Sequence, residues 1–177
     1  MTGSEAPERM SIWLIPCDEH KALLSKCIVE LSTKLHSPVF EPHVTLFSGY
    51  ISRASVKQSL DYAANHCKPV TLETENIKTE DILTKTLYLS LKSSKDLLYL
   101  SGLFKNYFFS SSFSFDPHLS LAYKILPKST RDSLVCETRL PFKKIKFSSL
   151  KAIHTPIPSK SENDIKTWEL LFTSTLG

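Results

Sequence analysis

Two segments far apart in the chain repeat one order of residue types. Phe40-Glu41-Pro42-His43-Val44-Thr45-Leu46 and Phe115-Asp116-Pro117-His118-Leu119-Ser120-Leu121 each read aromatic, acid, proline, histidine, aliphatic, hydroxyl residue, leucine. Their histidines lie 75 residues apart in a chain of 177. Agreement in chemical type at seven aligned positions points to a duplication, and so to two lobes that each carry one copy. Proline restricts the residue before it to extended backbone and cannot donate to a sheet ladder, so each motif sits where a strand begins. Side chains at i and i+2 of a strand share a face, about 7 Å apart. His43 with Thr45, and His118 with Ser120, therefore face one way, while Val44, Leu46, Leu119 and Leu121 face the apolar side. If the lobes face each other, two imidazoles and two hydroxyls converge on one cleft.

The rest of the chain supplies helices and strands in alternation. Residues 1–10 read as a polar tail, and 11–177 as one bilobal domain. Ser11-Ile12-Trp13-Leu14-Ile15 is a short buried strand stopped by Pro16. Leu24, Cys27, Ile28, Leu31 and Leu35 recur at helical steps behind a capping Asp18, predicting a helix to about Leu35. A strand over His43–Phe47 ends at Gly49, and a second helix spans Ser52 to Cys67. Strands are predicted at Val70–Ile77 and Thr86–Lys92, a helix at Asp96–Phe108, a strand at His118–Lys124 and a helix at Ser129–Glu137. Strands at Phe142–Phe147, Leu150–His154 and Thr167–Thr173 close the chain, with a loop over residues 156–164. This order predicts an α+β fold of two antiparallel sheets facing across a central cleft, with helices on the outside.

Composition narrows the class of partner. Lys plus Arg exceed Asp plus Glu by 22 to 18, a net charge of +4. That excess is compatible with a phosphorylated substrate and falls short of the basic stripe that holds nucleic acid by charge alone. No apolar run approaches the ~20 residues that cross a bilayer, and residues 1–10 lack a secretory signal's apolar segment. Cys17, Cys27, Cys67 and Cys136 form no CxxC pair, so neither a zinc site nor a dense disulfide framework is expected, though one disulfide stays open. The expected setting is intracellular and reducing, in the cytoplasm.

The converging groups define the chemistry. One imidazole can be neutral and accept a proton while its partner is charged and donates one. Hydroxyls donate hydrogen bonds to anionic oxygens without adding a charge. Two proton-transfer groups flanking two neutral donors suit in-line displacement at a phosphodiester. Metal binding is the weaker use of the histidines, because no Asp, Glu or Cys lies at ligand spacing within either motif. A Ser120 nucleophile is weaker too, for no glycine-flanked elbow surrounds it.

The duplicated His-x-Thr/Ser pattern resembles the two-histidine (2H) phosphoesterase superfamily. Pro42-His43-Val44-Thr45-Leu46, with Pro117-His118-Leu119-Ser120-Leu121-Ala122-Tyr123, resembles most its plant and fungal cyclic phosphodiesterases. The likeness runs from the opening Ser11–Leu14 strand to a closing strand with Trp168. It implies cofactor-free and metal-independent hydrolysis of 2′,3′-cyclic nucleotides to 2′-phosphates, and of ADP-ribose 1″,2″-cyclic phosphate to ADP-ribose 1″-phosphate, as in tRNA splicing. It implies His43 and His118 as the catalytic pair, Thr45 and Ser120 as phosphate ligands, and Tyr123 as a substrate contact. By the same analogy His118 is the base toward water and His43 the acid toward the leaving ribose oxygen. The alternatives are an RNA-end enzyme of the same superfamily (a 2′-5′ ligase or 3′-end phosphodiesterase) and a non-catalytic nucleotide-binding module. The expected partner is a small cyclic phosphate or an RNA end, bound by a monomer.

Other conspicuous residues receive plainer readings. His20, His36 and His66 fall on or beside helices as solvated or capping groups, and His154 is structural. Trp13 and Trp168 read as core residues, with stacking on a base as the other use. The basic run Lys143–Lys146 is a solvated strand face. Phe109–Phe115 is either a flap over the cleft or a buried aromatic connection. Tyr123 stands at i+3 from Ser120, so it reaches the cleft only past a bulge or a strand end.

Overall fold

The structure, a computed structural model, describes residues 6–109, 113–155 and 159–177. Seven antiparallel strands form one sheet that nearly closes into a barrel, six of them in a single path and the seventh branching from it. The first lobe holds β1 (Glu8–Pro16), β2 (Val44–Ile51), β6 (Lys144–His154) and β7 (Glu169–Thr175), in the order β2-β1-β6-β7. The second holds β3 (Val70–Lys78), β4 (Leu87–Leu91) and β5 (His118–Ala122). The two expected sheets are joined where Val70–Glu73 of β3 pairs with Phe147–Lys144 at the start of β6. The outer strands β2 and β5, which carry the two motifs, come together across the gap.

Five helices cover the outside: α1 (Asp18–Leu35), α2 (Arg53–His66), α3 (Lys95–Tyr107), α4 (Lys128–Glu137) and the single turn α5 (Glu162–Ile165). Ser52 and Ser94 cap α2 and α3 by accepting from the backbone N–H three residues on. α1 ends at His36 in the left-handed conformation. Among the described residues no helix is long and apolar enough to cross a membrane. All four cysteines are free thiols.

β1 shows how the core and the cleft divide a strand between them. Met10, Ile12 and Leu14 belong to the main core under the helices, whereas Trp13 and Ile15 form a small second cluster with Ile153 on the opposite face. Buried on both faces, the strand reads as an unbroken apolar run.

Several boundaries differ from the sequence reading. β1 begins at Glu8, so residues 8–10 belong to a strand and not to the tail. Gly49 does not end β2. It pairs with Met10, and a Cβ there would press on the Phe47 ring at 3.0 Å, so close approach explains the glycine. The two strands expected between Phe142 and His154 are one, held along one edge by β1 and along the other by β3 and then β7. Within the loop expected over 156–164, Ser161 and Asp164 form a capping box that starts α5. Of the Phe109–Phe115 segment, residues 110–112 lie outside the described residues. Phe113 packs against Phe47, with ring centroids 5.5 Å apart.

Candidate active site

A cleft of about 580 Å³ lies between the two lobes, and His43, Thr45, His118, Ser120 and Tyr123 all line it. The two motif copies arrive there by the same local device. In β2, Thr45 pairs with Trp13 and Phe47 with Ile12, so Leu46 is skipped. In β5, Ser120 pairs with Tyr88 and Ala122 with Leu87, so Leu121 is skipped. The bulge falls on the same leucine of each repeat. A bulge inverts the alternation beyond it. Leu46 and Phe47, like Leu121 and Ala122, therefore both enter the core, and the next residues, Ser48 and Tyr123, turn back to the cleft. This bulge is what brings Tyr123 to the site at i+3.

Each histidine is held alike. His43 Nδ1 lies 2.6 Å from the Glu41 carbonyl oxygen, and His118 Nδ1 lies 2.8 Å from that of Asp116. A carbonyl only accepts, so Nδ1 carries the proton and Nε2 is the nitrogen free for a ligand. The acid that supplies the carbonyl is itself fastened by a lysine from another strand or turn. Lys151 Nζ bonds both carboxylate oxygens of Glu41 at 2.7 Å, and Lys85 bonds Asp116. The acid-proline-histidine order of the repeat is thus a clamp that sets ring orientation and tautomer.

The two rings differ in surroundings. His43 is buried, and its imidazole lies flat against the Trp13 indole, with Phe40 and Trp168 at its edges. Burial, helped by the nearby charge of His118, pushes His43 down to about 4, although the hydrogen bond to Glu41 opposes this. Burial also lowers His118, assisted by Lys85 and opposed by the Asp116 carbonyl bond and the Asp116 and Glu80 carboxylates. His118 is the more open of the two and stacks edge-on against Tyr88 at 5.5 Å. Tyr88 in turn donates to Glu80 at 2.6 Å.

The hydroxyls are not equivalent either. Ser120 Oγ donates to the Thr84 carbonyl at 2.6 Å, with the Tyr123 hydroxyl close by. Tyr123 is stacked on Phe40 at 3.9 Å and set edge-on to Trp168, and burial pushes its hydroxyl up to about 12.

The family described as cyclic phosphodiesterase-like protein matches the chain over residues 9–176. The chain belongs to the cyclic phosphodiesterase-like family. It is a phosphoesterase of the two-histidine superfamily. Curated proteins yield no match. Solved structures of the same fold include LigT of E. coli in apo form, at TM-score 0.63 and 14% identity over 97% of this chain and 98% of that one. LigT of E. coli complexed with 3′-AMP matches at TM-score 0.62 and 13% identity over 97% and 99% of the two chains. A protein of Thermus thermophilus, TT0787, matches at TM-score 0.59 and 14% identity over 95% and 97%.

Against the sequence reading of this family member, the cleft gains residues that neither motif contains. Trp13 and Trp168 line it, and Trp13 supplies the stacking surface for His43 as well as core packing. Arg9, Ser11, Ser48 and Lys85 line it too. The one legible signal for Ser11 and Trp13 was their i, i+2 spacing in β1, which gives them a common face. The remaining histidines stand outside the cleft. His20 Nδ1 meets Cys17 Sγ at 3.1 Å, His66 Nδ1 bonds the Tyr62 carbonyl, and His154 sits between Glu8 and Glu169. The Lys143–Lys146 face is solvated, with Ile145 and Phe147 turned inward.

Proposed function

We propose that the protein hydrolyses cyclic phosphodiesters, opening 2′,3′-cyclic nucleotides to 2′-phosphates and ADP-ribose 1″,2″-cyclic phosphate to the 1″-phosphate. The observation that carries this reading is the pair of matched Nδ1–carbonyl clamps, which leave one Nε2 from each lobe for a ligand in a single cleft. Thr45 and Ser120 stand beside them as neutral donors to the phosphate oxygens. Ser120 must turn its hydrogen from the Thr84 carbonyl to the anion as the substrate arrives.

In the proposed step a water oxygen attacks phosphorus and gives its proton to His118. The bond from phosphorus to the 3′ oxygen breaks, and His43 delivers a proton to that oxygen. Each well-placed acid or base contributes roughly 10²–10⁴-fold in rate. Because burial holds His43 unprotonated in the empty cleft at neutral pH, its proton must come with substrate binding. The dianion-like charge building on phosphorus, and the π face of Trp13, both favour the imidazolium once the cleft is filled. Four free thiols accord with a reducing, cytoplasmic setting.

The test incubates the protein with 2′,3′-cyclic AMP and with ADP-ribose 1″,2″-cyclic phosphate in EDTA and follows ring opening by phosphorus NMR. Opening to the 2′- and 1″-phosphates is expected, with loss of at least ~10²-fold in His43→Ala and in His118→Ala. Full turnover in either variant, or a requirement for added metal, would overturn the reading. Cleavage confined to RNA ends would instead select the RNA-processing alternative.

A further inference from the structure

The cleft continues beyond the histidine pair along β1. Arg9, Ser11 and Trp13 occupy its cleft face at alternate positions. Trp13 marks the His43 end, and Arg9, four residues earlier, stands about 13 Å away along the strand. That separation sets Arg9 to one side of the histidine pair, and it suits a group on the far side of one ribose.

Arg9 is built into place by uncharged partners. Its Nη1 donates to Thr155 Oγ1 at 2.8 Å and to the Thr155 carbonyl at 3.3 Å. Thr155 is buried, and its own N–H donates to the Arg9 carbonyl at 2.9 Å, which ties the two backbones together. Among the described residues no carboxylate pairs with Arg9. Glu8, its neighbour in sequence, pairs with Arg53. The contrast within the cleft is sharp, for Lys85, the other lining cation, is bonded by both Glu80 and Asp116. A half-buried guanidinium fixed by neutral groups keeps its charge, and its planar fork, for an anionic ligand. Between Arg9 and the histidines Ser11 Oγ donates to Ser48 Oγ at 3.0 Å, and Ser48 is the residue that the bulge at Leu46 turns to the cleft. Hydroxyls so placed continue the row of neutral donors from Thr45 toward Arg9.

We propose that Arg9, with the Ser11–Ser48 hydroxyl pair, forms a subsite for a second phosphate of the substrate, across the ribose from the cyclic one. The protein then selects cyclic phosphates that carry a further phosphate over bare nucleoside cyclic phosphates. This inference rests on the cyclic phosphodiester reading of the same cleft. The second phosphate can be a 5′-monophosphate or the near end of a bridging diphosphate.

The experiment compares kcat/KM for 2′,3′-cyclic AMP, its 5′-phosphorylated form and ADP-ribose 1″,2″-cyclic phosphate in the wild type, Arg9→Gln and Arg9→Lys. The wild type should prefer a doubly phosphorylated substrate by ~10-fold or more, mostly through KM. In Arg9→Gln that ratio should fall toward one, and Arg9→Lys should retain part of it. Preference for the monophosphate over the diphosphate, or the reverse, identifies which source the subsite takes. A wild-type ratio near one, or an unchanged ratio in Arg9→Gln, would overturn the subsite. Calorimetric binding of adenosine 2′,5′-bisphosphate against adenosine 2′-phosphate keeps the two readings apart, since it needs no turnover. Bisphosphate preference lost in Arg9→Gln without any turnover would uphold the subsite and sink the hydrolase reading. Should Arg9→Gln fail to fold, Arg9→Lys carries the test, and a ratio as large as the wild type's would count against the subsite.

Discussion

The imidazole of His43 lies parallel to the indole of Trp13, with ring centroids 3.6 Å apart and an angle of 7° between the planes. With Nδ1 fastened to the Glu41 carbonyl, the ring is held by one hydrogen bond at its rim and one aromatic face. Trp13 pairs across the ladder with Thr45, so the stacking partner of the histidine and the hydroxyl beside it are set by one register.

Removing that face should loosen the histidine as well as the core. Trp13→Ala is expected to cost about 3–5 kcal/mol of stability, the range for large buried aromatics, and to lower kcat by ~10-fold or more. Trp13→Phe keeps a stacking surface and should retain most of kcat. Urea unfolding and turnover of the two variants check this. Equal kcat in Trp13→Ala and the wild type, with the stability loss present, would make Trp13 a packing residue only.

His43 also makes stability depend on pH. Its ordinary value of 6.5 applies when the chain is unfolded, and burial lowers it to about 4 in the folded protein. Between those values the unfolded state binds a proton that the folded state does not, so stability rises with pH there. The full contribution is present above about 6.5 and is lost as pH falls toward 4, a change on the order of 3 kcal/mol. His43→Gln should flatten that stretch of the stability curve. Inorganic phosphate should stabilise the wild type more at pH 5.5 than at pH 8, with proton uptake on binding. Calorimetry in buffers of different ionisation enthalpy measures the uptake. Binding with no proton exchanged would remove His43 from the anion site.

The parts of this molecule that were legible in the sequence are those whose causes are local. α1 occupies Asp18–Leu35 as its apolar period requires, and α2 runs between Ser52 and Cys67 as expected. Cys17 is the N-cap of α1, and Asp18, expected to cap, is instead the first residue of the helix, where its charge favours the N-terminus. The repeat located both histidines and both hydroxyls in the cleft because the proline and the strand period act within five residues. What stayed hidden depends on pairing between distant segments. Leu46 and Leu121 look like ordinary core leucines until their partners in β1 and β4 show that each is skipped. Arg9 stood in an expected polar tail, and Lys85 in a turn ahead of β4. Each meets the cleft only through a ladder that brings residues from different parts of the chain together. Continuity of β6 across Ser148-Ser149 likewise comes from β1 and β7 on its two edges, not from its own residues.

Tyr123 should act on the phosphate through Ser120. Its ring is fixed by Phe40 and Trp168 with its hydroxyl beside Ser120, which leaves the ring little freedom to meet a ligand directly. Tyr123→Phe is expected to raise KM several-fold with little change in stability. In a Ser120→Ala background the same substitution should leave KM nearly unchanged, because the group it positions is gone. Additive effects on KM in the double variant would instead make Tyr123 an independent substrate contact.

Lys85 and Asp116 should move His118 in opposite directions. Asp116 holds the ring through its carbonyl, and its carboxylate Oδ2 lies 4.0 Å from His118 Nδ1, favouring the protonated ring. The Lys85 ammonium disfavours it and is itself bonded to that carboxylate. Asp116→Asn keeps the backbone clamp, removes the anion and leaves the Lys85 charge with less compensation, so His118 should titrate lower than in the wild type. Lys85→Met removes the cation and should make His118 titrate higher. Proton NMR of the His118 ring across pH 4–8 reads both shifts directly, and His43 should change little in either variant, since its lowered value comes chiefly from burial. If the base toward water is His118, the acid limb of kcat/KM should follow it, moving down in Asp116→Asn and up in Lys85→Met. Shifts of the ring resonance without a matching move of that limb would assign the base role to the other histidine.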